Sequence, residues 1–385
     1  MIPARTLVIL ATLALGCPSV PERSGTGASS REPSMVVSPT PSDTPKPEAV
    51  ESIVFADRTS QGYLLLVPTT TTAAPTRDEL AALVEREMAA ETDQPEVALL
   101  LQLVAAEPTS DPRAAKRGLP RDLIGLHIEL LDAQRRGEVL PDDALVDPVL
   151  TRELGDTERK QLGTHRFAIL LRADYRNEHG VRGLRLLQTL VRLVAKDRGA
   201  LVHDPDTRET MGVEAFTRRR LQGGFGNLAE QVAVVPFPDR LHGDPWVRLT
   251  TRGMRRFGAP DLELGGLPRD PALLQQATFM LHGLALQMAQ AAEIDPSGLP
   301  VELDADLDVR HGDIARAYGN AGTVPRCSDC VGEITLRLVP RAAEANDPQG
   351  HVVARVTPPR DEGEKAPTDH PAWVRGMLAR LLGPS

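Results

Sequence analysis

The chain has 385 residues, 41% of them hydrophobic, which is ample for one to three cores, but only 3% are aromatic, so any core must be built from Leu, Val, Ala and Ile. Its 53 acidic side chains exceed its 44 basic ones, giving a formal net charge of -9. That balance argues against nucleic acid as the main partner, because phosphate binding needs dense Lys and Arg.

Met1 is followed by one early positive charge, Arg5, and an apolar run from Leu7 to Leu15. Residues 1–16 thus read as a signal peptide, too short to span a membrane. The segment ends in Leu13-Ala14-Leu15-Gly16-Cys17, which resembles the bacterial lipoprotein signal, with Ala14 where leucine is usual. The resemblance implies lipidation of Cys17, palmitate included, and a membrane anchor outside the cytoplasm, on the periplasmic face or the cell surface. The alternative is an ordinary cleaved secretory signal. Residues 17–50 are rich in Pro, Ser, Thr and Gly and should form a disordered tether that lets the folded part reach away from the headgroups.

Residues 51–150 are expected to make a small α/β region and residues 151–385 a main α+β domain. Short strands are expected at 53–55 and 63–67. Thr76 with Glu79 forms a capping box opening a helix to about residue 90, with Leu80, Leu83, Val84 and Met88 as its apolar stripe. Residues 96–104 read as a strand, 123–136 as a helix ended by Gly137, and 142–162 as further helix broken near Pro148 and Gly155.

A strand-helix-strand unit spans 165–206. Phe167, Ile169, Leu171, Ala173 and Tyr175 share one strand face, and Ala168 and Leu170 make the other face partly apolar, as in an interior strand. Val181, Leu184, Leu187, Leu190, Val191 and Val194 then recur at helical spacing, Gly199 ends the helix, and 200–203 is a second strand. Both strands are expected in one sheet, with a right-handed crossover if they are parallel.

Residues 214–220 read as a short helix in which Arg218-Arg219-Arg220 is a solvated face. Gly223-Gly224-Phe225-Gly226-Asn227 lacks the lysine and hydroxyl of a phosphate loop and reads as a plain connection. Strands follow at 231–237 and 246–251, and residues 271–293 make a buried helix, its apolar character interrupted by His282 and Gly283. In 301–309, Glu302, Asp304, Asp306 and Asp308 alternate with apolar residues. Such carboxylates suit calcium or the solvated face of an edge strand, and we take the latter. A hairpin of 333–339 with 351–356 and a last helix capped by Asp369 complete an α+β fold of mixed sheets and packed helices.

His203-Asp204-Pro205-Asp206-Thr207-Arg208 and Leu249-Thr250-Thr251-Arg252-Gly253-Met254-Arg255-Arg256-Phe257-Gly258-Ala259-Pro260-Asp261-Leu262-Glu263, with the buried helix that follows, resemble an uncharacterised bacterial family, several of its members lipoproteins. Its domain of unknown function carries a TxGMxxFGxPDLE-type sequence. The resemblance covers roughly 151–339 and implies a single α+β domain without assigning an activity. Asp261 and Glu263 fall two apart on one strand face. Paired carboxylates suit acid-base chemistry but also pair with arginines, here Arg252, Arg255 or Arg256.

His242-Gly243-Asp244 and His311-Gly312-Asp313 share a tripeptide, yet no spacing fixes two metal ligands on one element, so no metal and no cofactor are expected. Cys327-Ser328-Asp329-Cys330 could give half a zinc site, a redox motif or a disulfide. Outside the cytoplasm a Cys327–Cys330 disulfide is expected. The functional expectation is a non-enzymatic binding or assembly module, tethered to an envelope membrane, with an unidentified protein or small molecule as partner. The alternative is an envelope hydrolase or metalloenzyme using Asp261, Glu263, His242 and His311.

Overall fold

The computed structural model describes residues 52–384, apart from 57, 90–94, 108–122, 177–179, 223, 295–301, 320, 321, 323, 325–330, 345, 346, 348–350 and 360–368. The expected signal peptide, Cys17, the tether, Cys327 and Cys330 therefore lie outside the described residues. The first strands are β1 (Ser52–Val54) and β2 (Arg58–Val67), and the Thr76 capping box opens α1 (Arg77–Glu87) as expected.

Two elements differ from the expected ones. The segment read as a strand at 96–104 is the helix α2 (Pro95–Ala105), which buries Val97, Leu100, Leu103 and Val104. Its unbroken Ala and Leu run is apolar on more than one side, so strand alternation was mimicked while helix propensity decided the outcome. Conversely, the helix expected at 123–136 is the strand β3 (Leu123–Leu131) followed by α3 (Ala133–Val139), whose N-cap is Asp132. Leu126 and Leu130, four residues apart, share a strand face as readily as a helix face, and Leu131 packs on the opposite side of the sheet, so the leucine spacing fits both periods.

Next come α4 (Asp142–Val146), α5 (Asp156–Leu162), β4 (Phe167–Arg176), α6 (Gly180–Arg198), β5 (Leu201–Asp204) and β6 (Glu209–Met211). An antiparallel sheet has the order β3-β4-β2-β5-β6. Because β2 runs antiparallel to both β4 and β5, those two strands are parallel, and α6 crosses over the strand between them. The strand-helix-strand unit is thus present, opened by one inserted strand. The expected boundary near residue 150 falls inside this sheet, since β2 pairs with β4 along its whole length.

The helical stripe Leu184, Leu187, Leu190, Val191 and Val194 is buried, and α6 packs on β4 and β2. It approaches closely because Gly183 has no side chain: a Cβ there would lie 2.6 Å from Tyr175 Cγ. The opposite face of the sheet carries a smaller core of Leu64, Leu66, Ala168 and Leu201 with Leu140, Ala144, Leu145 and Leu154.

The short helix α7 (Val213–Phe216) runs into a π-helical turn, Thr217–Leu221, and a 3-10 segment, Gly224–Glu230. Then follow β7 (Ala233–Pro238), β8 (Val247–Arg252), a 3-10 turn Met254–Phe257, β9 (Asp261–Leu267), α8 (Pro271–Ile294), β10 (Glu302–Asp304), β11 (Asp306–Arg310), α9 (His311–Ala317), β12 (Glu333–Arg341), β13 (Val353–Thr357) and α10 (His370–Leu382). A second, mixed sheet has the order β11-β12-β13-β9-β8-β7, parallel only between β13 and β9. One face, including Leu249, Leu262, Leu264, Leu336, Leu338 and Val356, shares the main core with α8 and α10. The acidic alternation at 301–309 is split at Ala305 into β10, which pairs with β1, and β11, an edge strand. Its carboxylates face cross-strand partners: Asp306 pairs with Arg337 at 2.5 Å, and Asp308 accepts a 2.6 Å hydrogen bond from Thr335. The fold is α+β, with one mixed and two antiparallel sheets among the described residues.

Candidate functional site

The turn between β5 and β6 buries three carboxylates, on Asp204, Asp206 and Glu209. Asp204 Oδ1 accepts the Asp206 backbone N–H at 3.1 Å, which shapes the turn. Buried charges need partners, and five arginines supply them; the most exposed, Arg152, reaches Glu209 at 2.8 Å. From the π-helical turn, Arg220 Nη2 lies 3.1 Å from Asp204 and 3.0 Å from Glu209, while Arg219 Nη1 lies 2.9 Å from Glu209 and its Nε meets Glu230. From the turn after β8, Arg256 Nη2 donates to both Asp204 oxygens at 3.1 Å, and Arg255 pairs with Asp206.

The arginine run is therefore not a solvated face. Arg218 is exposed and pairs with Glu153, but Arg219 and Arg220 are buried. In this widened turn, consecutive arginines reach inward to acids that lie ten to sixteen residues earlier in the chain.

The network continues through amides. Arg256 Nη1 donates to Gln231 Oε1 at 3.2 Å, and Gln188 Nε2 donates to the same oxygen at 3.0 Å and to Tyr63 Oη at 2.8 Å. Burial alone would raise the Asp204 carboxyl, but Arg256 and Arg220 outweigh it and hold it well below the usual carboxylate range. Burial pushes the Tyr63 phenol up to about 12 and the neighbouring His203 imidazole down to about 4. The turn carrying Arg255 and Arg256 is held from the first sheet: Thr59 Oγ1 donates to Arg255 O and Tyr175 Oη to Arg256 O, each at 2.8 Å.

A second cluster occupies the other face of the mixed sheet. Strand period places Arg248, Thr250 and Arg252 of β8 beside Asp261 and Glu263 of β9, and Arg355 of β13 beside Glu263. Asp261 and Glu263 share a face as expected, but their partners differ from the expected set. Glu263 is held by Arg248, by Arg341 Nη2 at 2.7 Å and by Arg355 Nε at 2.9 Å. Asp261 accepts from Thr251 Oγ1 and the Met254 N–H, each at 3.1 Å, and lies 3.0 Å from His351 Nδ1. Arg252 comes only within 4.0 Å of Asp261, while Arg255 and Arg256 serve Asp206 and Asp204. Phe237 lies beneath the Arg248 and Arg252 guanidinium groups, 5.2 and 5.3 Å away.

Burial opposes ionisation of Glu263, yet hydrogen bonds from Arg341 and Arg355 and the charge of Arg248 keep its carboxyl below the ordinary range. Asp347, held by Arg341, falls in the same way to about 2. Both carboxyls are ionised near neutral pH and enclosed, an arrangement suited to fixing geometry.

The two candidate histidines stay apart. His242 bonds Asp239, 2.7 Å away, in the connection between β7 and β8. His311 opens α9 beyond the edge strand β11, its N–H donating to Gly332 O at 2.8 Å. His282, with Nδ1 2.6 Å from Tyr318 Oη and Nε2 3.0 Å from Val232 O, is an interior residue whose imidazole burial lowers to about 4. Among the described residues no group of three His, Cys, Asp or Glu side chains is placed to hold a metal ion.

Sequence reasoning missed Arg219, Arg220, Arg248, Arg341 and Arg355 as partners of buried acids. The usable signal was charge complementarity between passages: acids at 204, 206 and 209 against paired arginines at 219–220 and 255–256. No protein-family model matches this chain, and searches of curated proteins and of solved structures likewise find no match.

Proposed function

We propose that the protein is a lipid-anchored module of the bacterial cell envelope that binds a protein or small-molecule partner without catalysing a reaction. The observation that carries the non-catalytic part is the state of Asp261 and Glu263. Both are buried, and Glu263 is bonded to three arginines. A general acid must hold a proton near working pH and a general base must reach its substrate; the enclosed, arginine-bound Glu263 does neither, and Asp261 is buried with its oxygens committed to Thr251, the Met254 N–H and His351. The anchor rests on the apolar run ending at Gly16-Cys17.

The rival reading, a hydrolase or metalloenzyme, needs Asp261, Glu263, His242 and His311 in one cleft, and His242 is committed to Asp239 instead. The anchor is tested by expressing the full chain in a bacterial host with an alkyne-bearing palmitate analogue and fractionating the cells. The expected result is a labelled, membrane-bound chain and an unlabelled, soluble Cys17→Ser variant. A full chain that is unlabelled and soluble would contradict the proposal.

A further inference from the structure

We infer that Asp239, His242 and His370 form a pH-dependent latch that pins the start of α10 to the connection between β7 and β8. The His242 and His370 rings stack with centroids 4.8 Å apart and planes 15° apart. Behind them lies Asp239, whose carboxylate accepts the Leu241 N–H at 3.0 Å, the Gly266 N–H at 2.6 Å and a contact from His242 Nδ1 at 2.7 Å. His370 is the first residue of α10 and also packs on Trp373, with centroids 5.2 Å apart.

Two consecutive glycines make the room. A Cβ on Gly265 would lie 2.6 Å from Asp239 Oδ2, and one on Gly266, where φ is +71°, would lie 2.8 Å from His370 Cδ2. The cluster is thus enclosed by β9, by the β7–β8 connection and by α10.

The surroundings of the stack oppose a proton on His370. A charge there would face His242 at stacking distance, Arg355 of β13 and the positive end of the α10 dipole. Against these stand the Gly265 carbonyl, Asp239 itself and the N-cap Asp369, already accepting the Ala372 N–H at 3.0 Å. Burial first, then His242, lowers the His370 imidazole from its ordinary value. A histidine lowered on folding favours the closed state above its free value, and that contribution is lost as pH falls below it. The latch is closed at neutral pH and loosens in mild acid.

The chain's two tryptophans both report on this place: Trp373 touches His370, and Trp246, at the end of the same connection, carries Arg375 over its ring at 5.8 Å. The test is histidine NMR titration of the full folded chain from pH 8 to pH 5, with tryptophan fluorescence and amide exchange of α10. His370 is expected to titrate below the free value of about 6.5, and His242→Asn to move it upward. The first turn of α10 should exchange faster at pH 5 than at pH 8 after correction for intrinsic rates. Tryptophan fluorescence should change between pH 8 and pH 5, and His370→Asn should abolish both that change and this acceleration. If that variant does not fold, His242→Asn decides alone, since it retains His370. A His370 that titrates at its free value irrespective of His242, or an α10 whose exchange is indifferent to pH, overturns the latch.

Discussion

Arg218 and Arg220 are two residues apart in sequence and opposite in consequence. Arg220 is fully buried between Asp204 and Glu209, whereas Arg218 keeps 62% of its side-chain surface exposed beside Glu153. Removing one member of a buried ion network leaves a charge without compensation, a loss of about 3–5 kcal/mol, while an exposed pair contributes under about 1 kcal/mol. Arg220→Ala should therefore lose about 3–5 kcal/mol in a denaturant melt, and Arg218→Ala should be nearly neutral. Equal effects would remove the distinction between the two positions. Sequence showed three identical residues and could not distinguish them, because their partners are remote and the widened turn that selects them has no local signature.

Protonation follows from the same burial. His203 and His282 are held neutral, each lowered to about 4. In the unfolded chain they take up protons from about pH 6.5 downward, so their contribution to stability is full above that pH and declines as it falls toward 4. Asp204, Glu209 and Glu263 are lowered instead, and their contribution is present above the usual carboxylate values and lost as pH falls below them. Denaturant midpoints should thus fall in two stages, one between pH 6.5 and 4 and another below. Replacing His282 by Gln should make the first stage smaller, leaving the part that belongs to His203; a variant whose stability still declines by the same amount there would acquit His282.

At the scale of the element, the segments legible in sequence are those whose pattern has one solution. Residues 181–194 repeat apolar side chains only at helical spacing, and residues 167–175 alternate, so α6 and β4 were readable. The α2 and β3 segments are apolar in ways compatible with both periods; pairing with β4 settles β3, and helix propensity settles α2. For α6 the assigned face has a direct check. Leu187 is wholly buried, so Leu187→Asp places an unpaired charge in the core and should cost more than about 3 kcal/mol. Arg185 is 57% exposed near Glu96, and Arg185→Ala should cost less than about 0.5 kcal/mol in the same melting experiment. Comparable mild losses would dissolve the assignment.

At the scale of the molecule, sequence suggested two folded regions because strand-helix-strand patterns recur before and after residue 150. Pairing of β2 between β4 and β5 was invisible to it, since register across a hundred residues leaves no local trace. The same limit hid the arginines of Glu263: Arg248, Arg341 and Arg355 come from three strands and meet it only when the mixed sheet forms. The presence of Asp261 and Glu263 on one face was legible from spacing alone, but not whether they are free to react. Carboxyl carbon NMR of Glu263 in the folded protein, titrated from pH 7 downward, decides this most directly. A carboxylate that belongs to the framework remains ionised to a pH below the free glutamate value of about 4.3. Uptake of a proton near pH 6 would make Glu263 an acid-base group and contradict the non-catalytic reading.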